Sequence, residues 1–330
     1  MPNYIGIDLG TTFSAVATLD ETGRPIIVHN RDGENITPSV VSFLEPNHSE
    51  VGETARKMLW IDSNTIGRFK RDMGTSKTFL AHGVEHTPTA LSALVLKKLK
   101  QDTIAAIKNI EEAVVTIPAN FANEAREATM QAAKLAELNV KYIINEPTAA
   151  ALYYAFKTGE ELSGKYAVYD LCGGTFDISI IDVSGQNVEV LATNGVSKLG
   201  GDDFDLIVQK LVSEKFKEET GEEMNLEDYT KNAAENEKKS LSKRDKCKVR
   251  VSSVHIEITR NEFEKAISSL IAQTEMLCET TIEEAKLSVD DIKGVFLVGG
   301  STRIPCVRES VLKVFKKEPI SSANVDEVVA

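Results

Sequence analysis

The chain has 330 residues, a length that accommodates about two domains. Its 38 Lys and Arg against 50 Asp and Glu leave a net charge of −12, the wrong sign for a protein that grips nucleic-acid backbones. With 42% hydrophobic and 27% charged residues, wholesale disorder is excluded and a sizeable core is expected without staples.

The N-terminal apolar run is too short for a secretory leader, and no stretch approaches the roughly 18 apolar residues of a membrane span. Cys172, Cys247, Cys278 and Cys306 are scattered with no Cys-x-x-Cys, which argues against a zinc site or a disulfide framework. A cytoplasmic, monomeric protein with neither membrane nor nucleic-acid partner is expected.

In chain order, residues 4–20 read as two β-rich runs joined by a Gly/Thr turn, a hairpin by its turn chemistry. Helical spacing recurs over 88–108 and over 124–138, with Asn123 as candidate N-cap. Pro147 is placed as the first residue of a further helix, just after Glu146. The stretch 158–165 reads as a loop and sets a boundary near 160, dividing lobe I (1–160) from lobe II (161–330). A second hairpin spans 166–182. The segment 203–275 is expected to be a mostly helical insertion, with β structure near Cys247–Thr259, and helical spacing is clear over 262–287. Near the end come a strand, the Gly299-Gly300 turn and a helix opened by Pro305, with Ile304, Val307, Val311 and Phe315 on one helical face.

The two hairpins are alike, and their aspartates, Asp8 and Asp170, lie 162 residues apart, so the chain reads as a duplication. Gly10, Gly173 and Gly174 lack a Cβ and let backbone N–H groups approach an anion, while Thr11, Thr12 and Thr175 add hydroxyl donors. Asp8 and Asp170, placed at their strand ends, would repel bare phosphate and make sense with a divalent cation between. Two such hairpins form a clamp for a metal–polyphosphate; two unrelated Gly-turn hairpins are the plain alternative. The Gly299-Gly300 pair would let a flat ring lie on the backbone with Arg303 stacked on it, or would serve strand–helix packing alone. Neither a P-loop nor a Gly-x-Gly-x-x-Gly fingerprint is present, which disfavours both of those nucleotide folds.

Three segments resemble the nucleotide motifs of the actin/hexokinase/heat-shock superfamily: Ile5-Gly6-Ile7-Asp8-Leu9-Gly10-Thr11-Thr12, Asp170-Leu171-Cys172-Gly173-Gly174-Thr175-Phe176-Asp177 and Leu297-Val298-Gly299-Gly300-Ser301-Thr302-Arg303. Within it, the chain is similar to the DnaK-type heat-shock protein 70 chaperones from residue 4 to 328, in the same order. The resemblance implies an α/β actin-like ATPase fold, duplicated and ribonuclease H-like, with two lobes around a nucleotide cleft. It implies ATP or ADP with Mg²⁺, and K⁺, as cofactors, and slow hydrolysis of ATP driving a conformational switch. Asp8, Asp170 and Glu146 look like the acids that hold Mg²⁺, largely through water. Lys70 resembles the lysine that reaches the γ-phosphate, and Thr175 and Asp177 resemble residues that orient water and support K⁺. Gly200, Gly201 and Asp202 resemble a phosphate and sugar loop. Glu235, Lys238 and Ser242 resemble an adenosine-facing helix side; Gly299, Gly300, Ser301 and Arg303, with Asp326, complete the implied nucleotide set. Without the resemblance, Lys70 reads as a solvated basic stretch, Glu146 as an acid at a helix start, and Glu235 with its neighbours as a solvated helix.

The chain departs from the family pattern in places. Cys172 replaces a glycine, Lys239 stands where some relatives carry arginine, Val325 stands where proline is common, and 73–87 is short, as in the compact HscC-like branch. The sequence stops at Ala330, before the family's closing helix, linker and peptide-binding domain, so client polypeptides are expected to engage only through that missing part. A J-domain co-chaperone and a nucleotide-exchange factor are the other implied partners. A small-molecule kinase and a filament-forming ATPase of the same superfold are the competing functions, since fold alone does not choose among them.

Overall fold

The computed structural model describes residues 4–159, 161–225, 227–322 and 324–330. The chain divides into two compact units: Met1–Gly164 with Ile181–Thr193 and Ser322–Ala330, and Lys165–Ile180 with Asn194–Ser321. Among the described residues no helix is long and apolar enough to cross a membrane.

The first unit is organised by a six-stranded sheet in the order Val140–Asn145, Glu112–Ile117, Tyr4–Asp8, Phe13–Leu19, Pro25–Ile27, with Ile36–Pro38 also paired to Phe13–Leu19. The first three of these strands are parallel, with Asp8 opposite Thr116 and Ile117 opposite Asn145. Their C-terminal ends therefore deliver Asp8, Thr116 and the Asn145–Glu146 corner to one edge of the sheet, where parallel α/β sheets place their ligands. The sheet closes on Pro88–Ile107 and Asn123–Leu135 through a core that includes Ile5, Ile7, Leu91, Val95, Leu96, Val115 and Ala132. Thr87 starts the longer helix by accepting from the Ala90 N–H at 3.1 Å, followed directly by Pro88.

Two helix starts differ from expectation. Asn123 is the first helical residue and Ala122 takes the cap position without a side-chain hydrogen bond. Glu146 itself opens its helix, Glu146–Thr158, with Asn145 as cap and Pro147 second. The Pro147 ring sits as easily one residue later, because the first-turn N–H groups have no intrahelical acceptor. The short 73–87 stretch holds a two-stranded hairpin, Phe79–Ala81 with Val84–His86. The final segment folds back on this unit: the Ser322 N–H donates to the buried Tyr154 hydroxyl at 2.9 Å, and Asn35 donates to Glu327.

A second sheet runs in the order Asn187–Val196, Phe176–Ser184, Ser163–Leu171, Ile292–Val298, Ile320–Ser321. Asp170 pairs in parallel with Val298, so Asp170 and Gly299 leave the sheet at the same end. Asp170 is the penultimate residue of its strand, whereas Asp8 is the last of its own, a one-residue offset between the two copies. The stretch read as an insertion contains the helices Gly201–Thr220 and Lys231–Leu241, the hairpin Lys246–Val251 with Val254–Thr259, and most of the helix Arg260–Glu284. That last helix is started by a reciprocal cap in which Thr259 and Glu262 bond each other's backbone N–H groups. Val307, Val311 and Phe315 are buried on the helix Pro305–Phe315, as their spacing predicts.

Candidate functional site

In the first unit, four of the expected residues come together. Lys70, in the 3₁₀ turn Phe69–Asp72, donates to Glu146 Oε1 at 2.7 Å, with both side chains almost buried. Asp8 accepts a long contact from Thr116 Oγ1 at 3.4 Å, a distance that the Ile7 carbonyl shares. Burial first, then the Glu146 charge, pushes the Asp8 carboxyl up to about 7; Lys70 and Thr116 pull it back, and Asp326 adds to the rise. Asp326 reaches this cluster because the 322–330 segment folds back. Asp8 thus feels two further carboxylates, Glu146 and Asp326, and the Lys70 ammonium.

Beside Asp8, the turn is shaped for glycine at position 10. A Cβ on Gly10 would stand 1.8 Å from the Phe13 carbonyl oxygen, a contact no other residue type survives. The Gly10 N–H is held by Ser14 Oγ at 3.2 Å, and the Thr12 carbonyl accepts from Ser39 N at 2.9 Å, so Thr11 lies in a turn fixed at both sides.

The second unit assembles its glycine turns on one another. The Cys172 N–H donates to the Thr175 carbonyl at 3.0 Å and closes the turn that carries Gly173 and Gly174. The Gly201 N–H donates to the Cys172 carbonyl at 3.0 Å and the Asp202 N–H to the Gly173 carbonyl at 2.6 Å. Ser301 Oγ donates to the same Cys172 carbonyl at 3.1 Å. Gly299 has φ +85°, and a Cβ there would meet the Leu171 carbonyl at 2.5 Å and Asp170 Oδ1 at 2.8 Å. Gly299 is therefore required by close packing against the Asp170 strand end, the structural half of the sequence reading. Gly300, Ser301 and Arg303 form a 3₁₀ turn in which Ser301 is buried and Arg303 exposed. Cys172 Sγ donates to Asp170 Oδ1 at 3.0 Å, so the thiol is directed at the candidate metal-holding acid. Asp177 lies near the start of the next strand.

The charged helix face resolves into separate roles. Glu235 pairs with Lys239 at 2.8 Å. Ser242, the C-cap of Lys231–Leu241, donates to the Lys238 carbonyl at 3.1 Å. Lys238 Nζ is buried, donates to the Gly201 carbonyl at 2.8 Å and pairs with Asp205 at 2.7 Å. Gly200 caps the helix Gly201–Thr220, and its N–H donates to Asp203 Oδ2 at 2.9 Å.

Sequence reasoning missed Thr116 and Asp205. Thr116 becomes visible only through strand register. Asp205 could have been found as the carboxylate four residues past Gly201, on the same helix face.

Mg²⁺ fits this chemistry. Asp8, Glu146 and Asp326 of the first unit offer hard oxygen ligands, and a divalent cation would favour the ionised form of Asp8, which burial and then the Glu146 charge disfavour. Among the described residues no three His, Cys, Asp or Glu side chains converge as a direct metal cage.

Residues 4–86 and 76–330 match the sequence model of the Hsp70 protein family. The chain belongs to the Hsp70 family and has its actin-like ATPase fold, that of a chaperone's ATP-binding domain.

Proposed function

We propose that this chain binds Mg²⁺–ATP and hydrolyses it to ADP and phosphate. The observation that carries the reading is the Asp8 cluster: Asp8 with Glu146, Asp326 and Lys70, beside a turn that only glycine fits. Asp8, Asp170 and Glu146 would hold the hydrated Mg²⁺, which when bound neutralises phosphate charge and polarises the transferring group. Backbone N–H groups near Thr11–Thr12 and Gly173–Thr175 would donate to phosphate oxygens, with Gly10 giving the first turn its close approach and the Gly200–Asp202 loop lying against phosphate and sugar. Lys70, steadied by Glu146, supplies positive charge where the γ-phosphate develops negative charge. Asp177 with Thr175 orients the attacking water and supports K⁺. Glu235, Lys238, Ser242 and Arg303 take the adenosine side. Hydrolysis would drive the conformational switch, with a J-domain co-chaperone and a nucleotide-exchange factor as regulators and polypeptide clients as cargo.

Phosphate release from Mg²⁺–ATP with no added acceptor tests this. Turnover that stops in EDTA is expected. ADP formed only when a hydroxyl acceptor is supplied, with the phosphoryl group on that acceptor and no free phosphate released, would instead assign a kinase.

A further inference from the structure

We propose that Asp205 is a positioning residue for nucleotide binding: it fixes Lys238, and through Lys238 the Gly200–Asp202 loop. The proposal rests on the nucleotide-binding reading above and extends it to a residue outside the expected motifs.

Asp205 sits one turn into the helix Gly201–Thr220, and helical side chains lean back toward the N-terminus, so its carboxylate returns to the loop it follows. There it meets Lys238 from the neighbouring helix, Lys231–Leu241, at 2.7 Å, with side-chain exposures of 4% and 10%. The same ammonium donates to the Gly201 carbonyl at 2.8 Å. The hydrogen bond to Gly201 and the ion pair with Asp205 together fix where the ammonium sits.

The pair is connected to the rest of the glycine assembly. Gly201 and Asp202 bond the Cys172 and Gly173 carbonyls of the second hairpin turn. A Cβ on Gly201 would lie 2.9 Å from Lys238 Nζ and 2.8 Å from Ser301 Oγ, so the loop backbone is pressed between these two side chains. An unanchored Lys238 would lose its place, and the loop its fixed wall. A buried pair held this way is costly to break because the remaining charge stays desolvated. Its geometry argues for specificity of position over bulk stability, since a hydrophobic pair would fill the same space without gripping a backbone carbonyl.

The test is a double-mutant cycle on the whole chain. Asp205→Asn keeps the shape and removes the charge; Lys238→Ala removes the ammonium. The loss of one charge-assisted bond predicts about tenfold or greater weakening of Mg²⁺–ADP binding for Asp205→Asn by calorimetry. The loss is expected in KM for ATP, with kcat falling less than about threefold. The double variant should bind no more weakly than Lys238→Ala alone, because Asp205 acts through Lys238. Wild-type affinity in Asp205→Asn, or effects that multiply in the double variant, would overturn the proposal. Should Asp205→Asn not fold, hydrogen exchange on Lys238→Ala decides: exchange at Gly201 and Asp202 faster than wild type is expected, and unchanged exchange overturns it. Absence of nucleotide binding by the wild type would instead remove the functional reading itself.

Discussion

Asp8→Asn is expected to stabilise the metal-free protein at pH 8 while damaging its use of Mg²⁺. The Asp8 carboxyl rises from 3.8 to about 7 because the fold buries it and sets Glu146 nearby. In the unfolded chain it ionises near its ordinary value. Between about pH 4 and 7 the native state holds a proton that the unfolded state has lost, so stability falls as pH rises through that window and is level above it. A shift of about three units at about 1.4 kcal/mol each puts a ceiling near 4 kcal/mol on this cost. Relaxation of the surroundings on ionisation lowers this cost, so the measured share should fall between about 1 and 4 kcal/mol. Asparagine keeps an acceptor for Thr116 and carries no charge, so it escapes the cost. Trp60, the single tryptophan, reports on this unit, with Arg68 stacked 4.6 Å over its ring. Urea unfolding in EDTA, followed by Trp60 fluorescence at pH 5 and pH 8, makes the comparison. The variant should exceed wild type at pH 8 and lose less stability between the two pH values. Calorimetry should show Mg²⁺–ADP affinity reduced more than metal-free ADP affinity. A variant no more stable than wild type at pH 8, with the same pH slope, would refute the electrostatic account of the cluster.

Lys70→Ala should lower the rate of hydrolysis by about a hundredfold or more while ADP still binds, because its charge acts on the γ-phosphate; single-turnover rates equal to wild type would remove Lys70 from the reaction. Gly10→Ala places a methyl 1.8 Å from a backbone oxygen, so the turn must open, at a cost above about 2 kcal/mol and with loss of nucleotide; an unchanged melting curve contradicts the turn geometry. Glu262 is held well down, to about 2, chiefly by Lys215 and by Thr259. Its stabilisation is present above about pH 4.5 and lost as pH falls through about 2, so Glu262→Gln should lower stability at neutral pH by about 1 kcal/mol and flatten the acid limb of the melting profile. Matching acid limbs in both proteins would show that the cap carries no linked charge.

The chemistry of this protein was largely written in local residue choices. The repeated acid–Gly–Thr hairpins, the Gly299-Gly300 turn and the helical face of Val307, Val311 and Phe315 depend on backbone conformation and short periodicities, which a sequence displays directly. Family membership followed from those motifs, and the match over 4–86 and 76–330 confirmed it. Helix starts were legible only to within a residue, as Asn123 and Glu146 show, since several first-turn positions tolerate the same side chains. What tertiary structure alone decided is which distant groups share a neighbourhood. Strand register brought Thr116 beside Asp8, the returning 322–330 segment brought Asp326, and helix packing buried Lys238 against Asp205 and the Gly201 carbonyl. Those contacts set charge balance and proton affinity. Both depend on burial and on distances across the fold, quantities that no local pattern encodes.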